Sequence, residues 1–259
     1  MRLVSCSFTD TGMKRQANED SFLVDEDLPL FVVADGMGGH KGGAVASALA
    51  VEFVGVTMRR VQVPPDAKLG PLGDRSRELL MADQLAYAIR VAGRQIHDTS
   101  LTVPEVASMG TTCVALAFAK NQAIVANVGD SRAYCIRGGV IEQMTLDHSV
   151  VAEYVRKGLL TAEQAKQHLF KSALTRSVGF EEETQVDTFL KAVELGDVYV
   201  LCSDGLTNMV TDDEIRAIVV ENDPDAAAEG LVVLANQRGG DDNITVVVAR
   251  VDEIDPEYP

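Results

Sequence analysis

Between residues 112 and 144 four apolar runs follow one another with almost nothing between them. They cover about 112–119, 122–128, 131–137 and 140–144, joined by Lys120-Asn121, Gly129-Asp130 and Gly138-Gly139. A parallel crossover needs roughly a dozen residues or more, so connections this short force antiparallel pairing. Gly-Gly between the third and fourth runs is a tight-hairpin signal. An antiparallel meander must therefore lie near the middle of the chain.

The flanks add both strands and helices. Strands are expected near 3–9, 20–25 and 30–34, followed by the Gly-rich turn GMGGHKGG. A helix is predicted over 44–60, with Val45, Leu49, Phe53 and Val56 on one face. Val63-Pro64-Pro65 ends it, and the turn-rich loop DAKLGPLGD leads to a second helix over 75–99. Its apolar face is Leu79, Ala82, Ala86, Ile89, Gly93 and Ile96. After the meander come two short helices, the second opened by the capping-box pair Thr161 and Gln164. Strands near 185–190 and 197–203 lead to two helices, opened by Thr211 with Glu214 and by Asp223-Pro224. A last strand covers 243–251. Consecutive strands exclude a strict alternation of strand and helix, so the fold class is α+β. With no Pro/Gly/Ser-rich linker and no repeat, one domain over 1–251 is expected, with an acidic tail at 252–259.

Composition excludes several functions. A formal charge of −16 repels nucleic acid and anionic membranes. The four cysteines have no C-x-x-C spacing, and Cys113, Cys135 and Cys202 lie in apolar strand-like runs, where cysteine acts as a small hydrophobe. Neither a disulfide framework nor a zinc site is expected, and the four histidines show no ligand spacing. No signal peptide is evident, and no run of about 18 apolar residues suggests a membrane span. A cytoplasmic location is the expectation.

Chemistry enters with four aspartates at the ends of apolar runs. Asp35 follows LFVVA, Asp130 follows IVANVG, Asp204 follows VYVLCS, and Asp242 precedes NITVVVA. Carboxylates held at the ends of core strands are costly to leave unpaired, and few cations stand beside them. Hard oxygen donors suit Mg²⁺, Mn²⁺ or Ca²⁺ rather than zinc. The calcium-loop pattern Asp-x-Asp-x-Asp-Gly is absent, so the carboxylates must be assembled by folding. Two Mg²⁺ ions close together can share a hydroxide and direct it in line at phosphorus. Each motif alone also reads as an ordinary turn or a solvated charge pair; their joint order carries the argument.

That order resembles a known family. The chain carries Arg15-Gln-Ala-Asn18-Glu19-Asp20-Ser21, Asp35-Gly-Met-Gly-Gly-His40 and Met109-Gly110-Thr111-Thr112. Then come Gly129-Asp130-Ser131-Arg132, Leu174-Thr-Arg176, Cys202-Ser203-Asp204-Gly205-Leu206 and Gly240-Asp241-Asp242-Asn243-Ile-Thr245. Spanning 8–250, this series is similar to the bacterial branch of the type-2C metal-dependent serine/threonine protein phosphatases. The resemblance implies a four-layer sandwich, with two central antiparallel sheets flanked by pairs of helices. It implies two Mg²⁺ or Mn²⁺ ions. Asp35 would bridge them, the Gly36 carbonyl would ligate one, and Asp204 and Asp242 would complete the set. Asp20 would hold metal-bound water, and Asp130 would help bind a weaker third ion. Arg15 would fork onto the substrate phosphate. Thr111 and Thr112 would orient the core beneath the metals. The reaction would be direct hydrolysis of phosphoserine or phosphothreonine by the bridging hydroxide, opposing a Ser/Thr kinase that acts on the same proteins.

The chain departs from the family in places. Met37 stands where the animal branch has a histidine after Asp-Gly, and His40 cannot take its role by alignment. Gly43-Ala44 replaces an expected Gly-Glu, which removes a helix-start carboxylate and with it some stability. The segment 146–177 matches the family's flap but reads His168-Leu-Phe-Lys171-Ser172. Leu169 and Phe170 there are expected to pack on the core; the alternative is a flap sticky toward protein substrates. A dinucleotide site at the Gly-rich turn is rejected, because Asp35 would face the pyrophosphate and no strand follows the helix to bring a ribose-binding acid. Two functional alternatives remain: a catalytically weak binding module on this fold, and a regulatory phosphatase of narrow specificity.

Overall fold

The structure is a computed structural model that describes residues 1–38, 41–61 and 77–254, with side chains from residue 80 onward in the last stretch. His40, the loop DAKLGPLGD and the end of the acidic tail lie outside the described residues. Strands β1 (Arg2–Asp10), β2 (Asp20–Asp25) and β3 (Leu30–Met37) come first, then helices α1 (Gly42–Arg60) and α2 (Arg77–Thr102). The central run is β4 (Gly110–Thr111), β5 (Cys113–Ala119), β6 (Gln122–Val128), β7 (Arg132–Arg137) and β8 (Val140–Gln143). Short helices α3 (Val150–Arg156) and α4 (Ala162–Lys166) precede β9 (Asp187–Ala192) and β10 (Val198–Cys202). Helices α5 (Asp204–Thr207), α6 (Asp212–Glu221) and α7 (Pro224–Gln237) and strand β11 (Ile244–Glu253) complete the chain.

Two antiparallel sheets form. One has the order β1-β11-β10-β7-β8; the other runs β2-β3-β5-β6-β9, with β4 paired to the end of β3. Period-2 alternation assigns each strand's two faces. Phe31 and Val33 of β3 meet Tyr199 and Leu201 of β10 and Val247 of β11 between the sheets. Leu30, Val32 and Ala34 point the other way, onto α1 and α2. Val200, Cys202, Val246 and Val248 face α6 and α7. The layers are therefore helices, sheet, sheet, helices, the α+β sandwich expected. The three strand cysteines are buried and unpaired, as small hydrophobes.

The central run differs from the sequence reading in one respect. β5 pairs with β6 and β7 with β8, but β6 pairs onward with β9 and β7 with β10. The connection through Gly129 and Asp130 is thus a crossing between the two sheets rather than a hairpin. β5, β6 and β7 bury both faces, so the crossing lets both pairs join larger sheets. It also leaves Asp130 at the edge where the sheets meet.

The buried face of α1 also differs. Ala46, Ala50, Val54 and Met58 are enclosed, whereas Val45, Leu49 and Phe53 are only partly covered and Val56 is exposed. Small residues let the helix lie close to β2 and β3: a Cβ on Gly55 would come within 2.9 Å of Leu23. By length and composition α1 would suit a membrane span, yet half of it is buried against the sheet and α2. On α2, Ala82, Ala86, Ile89, Gly93 and Ile96 are buried as their spacing predicts. Both expected capping boxes, at Thr161 and Thr211, are present. Leu169 and Phe170 do not pack on the core; they are 88% and 51% exposed. Phe170 rests near the ring of His168, which meets Tyr154 edge-on, so the segment packs on itself instead.

Candidate active site

The four aspartates come together at one edge of the sandwich, because each stands where a strand of one sheet or the other starts or stops. Asp35 lies near the end of β3, directly opposite Asp20 on β2. Asp130 sits in the crossing between β6 and β7, Asp204 opens α5 just after β10, and Asp242 precedes β11. All five side chains are half-buried.

The backbone beneath Asp35 is pinned from three directions. Its N–H donates to Thr112 Oγ1 at 2.9 Å, and its carbonyl accepts from Thr111 Oγ1 at 2.8 Å and from the Thr112 N–H at 2.8 Å. Thr112 Oγ1 also meets Ser131 Oγ at 2.6 Å, tying Asp35 to the crossing that carries Asp130. Both threonines thus have the supporting position expected of them. Gly36 admits no side chain: a Cβ would lie 2.1 Å from the Gly43 carbonyl oxygen and 2.6 Å from that of Glu19. This close approach brings the first turn of α1 against the site. A Cβ on Gly43 would meet Glu19 Oε2 at 2.2 Å, so the carboxylate absent from the local sequence of α1 is supplied by Glu19.

Asp20 is held on one side only. Its Oδ2 accepts from Thr245 Oγ1 at 2.7 Å and Ser203 Oγ at 2.8 Å, while its buried Oδ1 has no partner. Asp204 shows the same asymmetry: Oδ2 accepts from Asn208 Nδ2 at 3.0 Å, and the buried Oδ1 has none. Asn243, a motif residue to which the sequence assigned no role, proves to be a hub. It accepts from the Glu19 N–H and donates to the carbonyls of Thr11 and Ala17, fixing the loop that carries Arg15.

Electrostatics follow from this geometry. Burial, and then the charges of Asp20, Asp204, Asp130 and Asp242, push the Asp35 carboxyl well above the usual range. Burial raises Asp20 to about 7 despite its two hydroxyl donors, and raises Asp130 to about 8 with the help of Asp204 and Asp147. Asp204 is raised as well, by burial and by the charge of Asp242. Neighbouring carboxylates cannot all ionise unless positive charge comes to them.

One cation stands closer than the sequence suggested. Arg15 Nη2 donates to Asp242 Oδ2 at 2.7 Å. The guanidinium is about half exposed, and Asp242 is its only hydrogen-bond partner among the described residues. Asp241 pairs with Lys14 and faces solvent. As they stand, no three acidic groups among the described residues enclose a common point. Asp242 is turned onto Arg15, and one oxygen of Asp204 onto Asn208. The donor set nonetheless fits hard divalent cations: carboxylate oxygens, two of them buried and unpartnered, with raised affinity for protons. A cavity of about 440 Å³ lined by Arg90, Arg94 and the segment 182–186 holds none of these aspartates.

Known proteins resemble this chain over nearly its whole length. The chain is 39% identical over 253 residues to protein phosphatase PhpP of Streptococcus pneumoniae, covering 96% of this chain and 98% of that one. It is 37% identical over 252 residues to serine/threonine phosphatase stp of Listeria monocytogenes, covering 94% of each. The catalytic domain of the serine/threonine protein phosphatase PstP, crystallised with two manganese ions, superposes with a TM-score of 0.82 at 32% identity. That match covers 98% of this chain and 99% of that domain. The family model for protein phosphatase 2C matches residues 13–228. Two antiparallel sheets with an acidic edge, and relatives alike over nearly their whole length, make this chain a member of the protein phosphatase 2C family, in its bacterial serine/threonine branch.

Proposed function

We propose that this chain releases phosphate from phosphoserine and phosphothreonine in proteins, using the carboxylates of the sheet-edge cleft to hold Mg²⁺ or Mn²⁺. The observation that carries the assignment is the set of converging aspartates with unpartnered buried oxygens on Asp20 and Asp204. Asp35, Asp204, Asp242 and the Gly36 carbonyl would hold a pair of ions, and Asp130 a weaker third. When bound, such ions neutralise the transferring phosphoryl group and lower the pKa of an attacking water.

The chain's own residues supply the rest. Asp20 is oriented through Oδ2 by Ser203 and Thr245, which leaves Oδ1 aimed to accept a hydrogen bond from water in the cleft. Arg15 keeps N–H groups beyond the one on Asp242, and a guanidinium fork matches two phosphoryl oxygens. Its pairing with Asp242 holds it at the cleft mouth before substrate arrives. Thr111, Thr112 and Ser131 keep Asp35 and Asp130 at a fixed separation, so that no reorganisation is needed when charge develops.

Residues 1–251 act as one catalytic unit on this reading, with 146–177 as a flap beside the cleft. Its exposed Leu169 and Phe170 favour contact with protein substrates over a purely structural part. The partners are phosphoproteins and the Ser/Thr kinase that makes them. A cytoplasmic location is proposed with it: the helix long and apolar enough to span a membrane among the described residues, α1, is half buried against its own sheet and α2. The decisive experiment is phosphate release from a phosphothreonine peptide by the purified chain as Mn²⁺ is titrated, with anomalous diffraction to count ions. Activity that saturates with metal and disappears in Asp204→Asn is expected. Equal activity in chelator and in Mn²⁺ would sink the proposal.

A further inference from the structure

His148 lies between β8 and α3, is 3% exposed, and touches the crossing that carries Asp130. The Gly129 N–H donates to His148 Nδ1 at 3.1 Å, and the Gly129 carbonyl accepts from the His148 N–H at 2.9 Å. His148 thus meets both backbone groups of Gly129, and Asn127 Nδ2 adds a longer contact of 3.4 Å to the same carbonyl. On the other side of its ring, His148 Nε2 lies 3.0 Å from Asp187 Oδ2 and 3.4 Å from Arg176 Nη1, which holds Asp187 Oδ1 at the shorter distance of 2.7 Å; with the proton on Nε2, the bond is to Asp187 and the guanidinium is only a neighbour. A neutral imidazole has one donor and one acceptor nitrogen. Since Nδ1 accepts from a backbone N–H, the proton must reside on Nε2, directed at Asp187. The carboxylate thus selects the tautomer whose lone pair faces Gly129.

The crossing needs such a clamp. Gly129 has φ +104°, and a Cβ there would lie 2.6 Å from Thr112 Cγ2, so the turn has neither a side chain of its own at Gly129 nor regular pairing to hold it. Three residues further on, Arg132 forks onto Asp147, the neighbour of His148. The dipeptide Asp147-His148 therefore grips the turn on both sides of Asp130. His148 also accepts through its carbonyl from the Thr175 N–H at 2.8 Å, so the far end of the segment 149–173 is hung from the same residue.

We propose that His148 is a positioning residue that sets the Gly129-Asp130 turn through an Nδ1 acceptor, with its tautomer fixed by the Arg176-Asp187 pair. It does not touch substrate; its effect on the reaction passes through Asp130, and in that respect the inference rests on Asp130 holding the weaker ion.

Two substitutions divide the ring's two contacts. His148→Asn keeps an acceptor near the position of Nδ1 and loses the Asp187 contact. His148→Gln keeps a donor near Nε2 and loses the acceptor. In the metal-free full chain, amide exchange at Gly129 should accelerate about 10-fold in His148→Gln and stay within about threefold of wild type in His148→Asn, as expected for one net hydrogen bond. The Mn²⁺ concentration that half-fills the weakest site, followed by calorimetry, should rise about 10-fold in His148→Gln alone, the low end for removing support behind a metal ligand. The ¹⁵N shifts of His148 in the wild-type chain should report an unprotonated Nδ1. A protonated Nδ1, or matching values for the Asn and Gln variants, overturns the proposal. Asp130→Asn separates the two readings. If it leaves the weakest ion untouched, the role of Asp130 fails, while the exchange result still decides the clamp.

Discussion

Strand β10 has an aspartate beyond each end, and the fold treats the two in opposite ways. Asp197, just before the strand, is 1% exposed and fully partnered. It accepts from Arg137 Nε at 2.7 Å and Nη2 at 2.6 Å, from the Glu194 N–H at 2.8 Å and from the Tyr199 hydroxyl at 3.2 Å. Asp204, just after the strand, has one amide donor, an orphaned oxygen and a crowd of carboxylates. One end closes its charge balance within the protein; the other leaves it open. A carboxylate used for structure is given a guanidinium, whereas one reserved for a ligand is held rigidly and left short of positive charge.

Asp204→Asn should divide the two ends most sharply. It is expected to lower kcat/KM for a phosphopeptide by about 10²–10³-fold or more, the scale of losing one preorganised electrostatic group. The metal-free variant should melt no lower than wild type, since it relieves repulsion. If calorimetry shows a large drop in melting temperature, Asp204 is structural after all and the contrast collapses. Asp197→Asn should do the reverse, costing about 3 kcal/mol in denaturant unfolding while leaving kcat of the folded fraction unchanged. That value is the low end for breaking a buried pair, because Arg137 keeps some water. Arg15→Lys comes next. It retains charge but loses the fork, and should lower kcat/KM about 10-fold, mostly through KM. An unchanged KM would remove Arg15 from phosphate binding.

The smallest effect is on pH dependence. Asp20 at about 7 and Asp130 at about 8 lie above their ordinary value of 3.8. Groups raised in the folded state stabilise it fully below 3.8 and lose that contribution as pH climbs through 7 and 8. Metal-free protein should therefore melt at a higher temperature at pH 5 than at pH 8, and saturating Mg²⁺ should flatten the slope. A slope of the opposite sign, or one indifferent to Mg²⁺, would show that these carboxylates are not the source.

Much of this site was legible in the chain, for a physical reason. Strand ends are marked by the switch from apolar run to turn residue, so Asp35, Asp130, Asp204 and Asp242 could be placed at one kind of position without coordinates. The supports were harder to see. Asn243 and Ser131 are polar residues in turns, and nothing local distinguishes a hub from a solvated side chain. The helix-start carboxylate of α1 could not be found locally, because Glu19 lies in the connection between β1 and β2. Leu169 and Phe170 were assigned to the core on hydrophobicity alone, and the chain around them offered no core to enter.

The strands, their antiparallel pairing within β5–β6 and β7–β8, the caps of α4 and α6, and the acidic residues that cluster can all be read from the chain. All of these follow from periodicity, turn chemistry and residue type, which act over a few positions. That the chain changes sheets at Gly129, that Arg15 meets Asp242 and that His148 grips the crossing emerges only when the sheets are assembled. Those outcomes depend on which faces find each other once two sheets stack, and contacts across 19 or 227 positions leave no local trace.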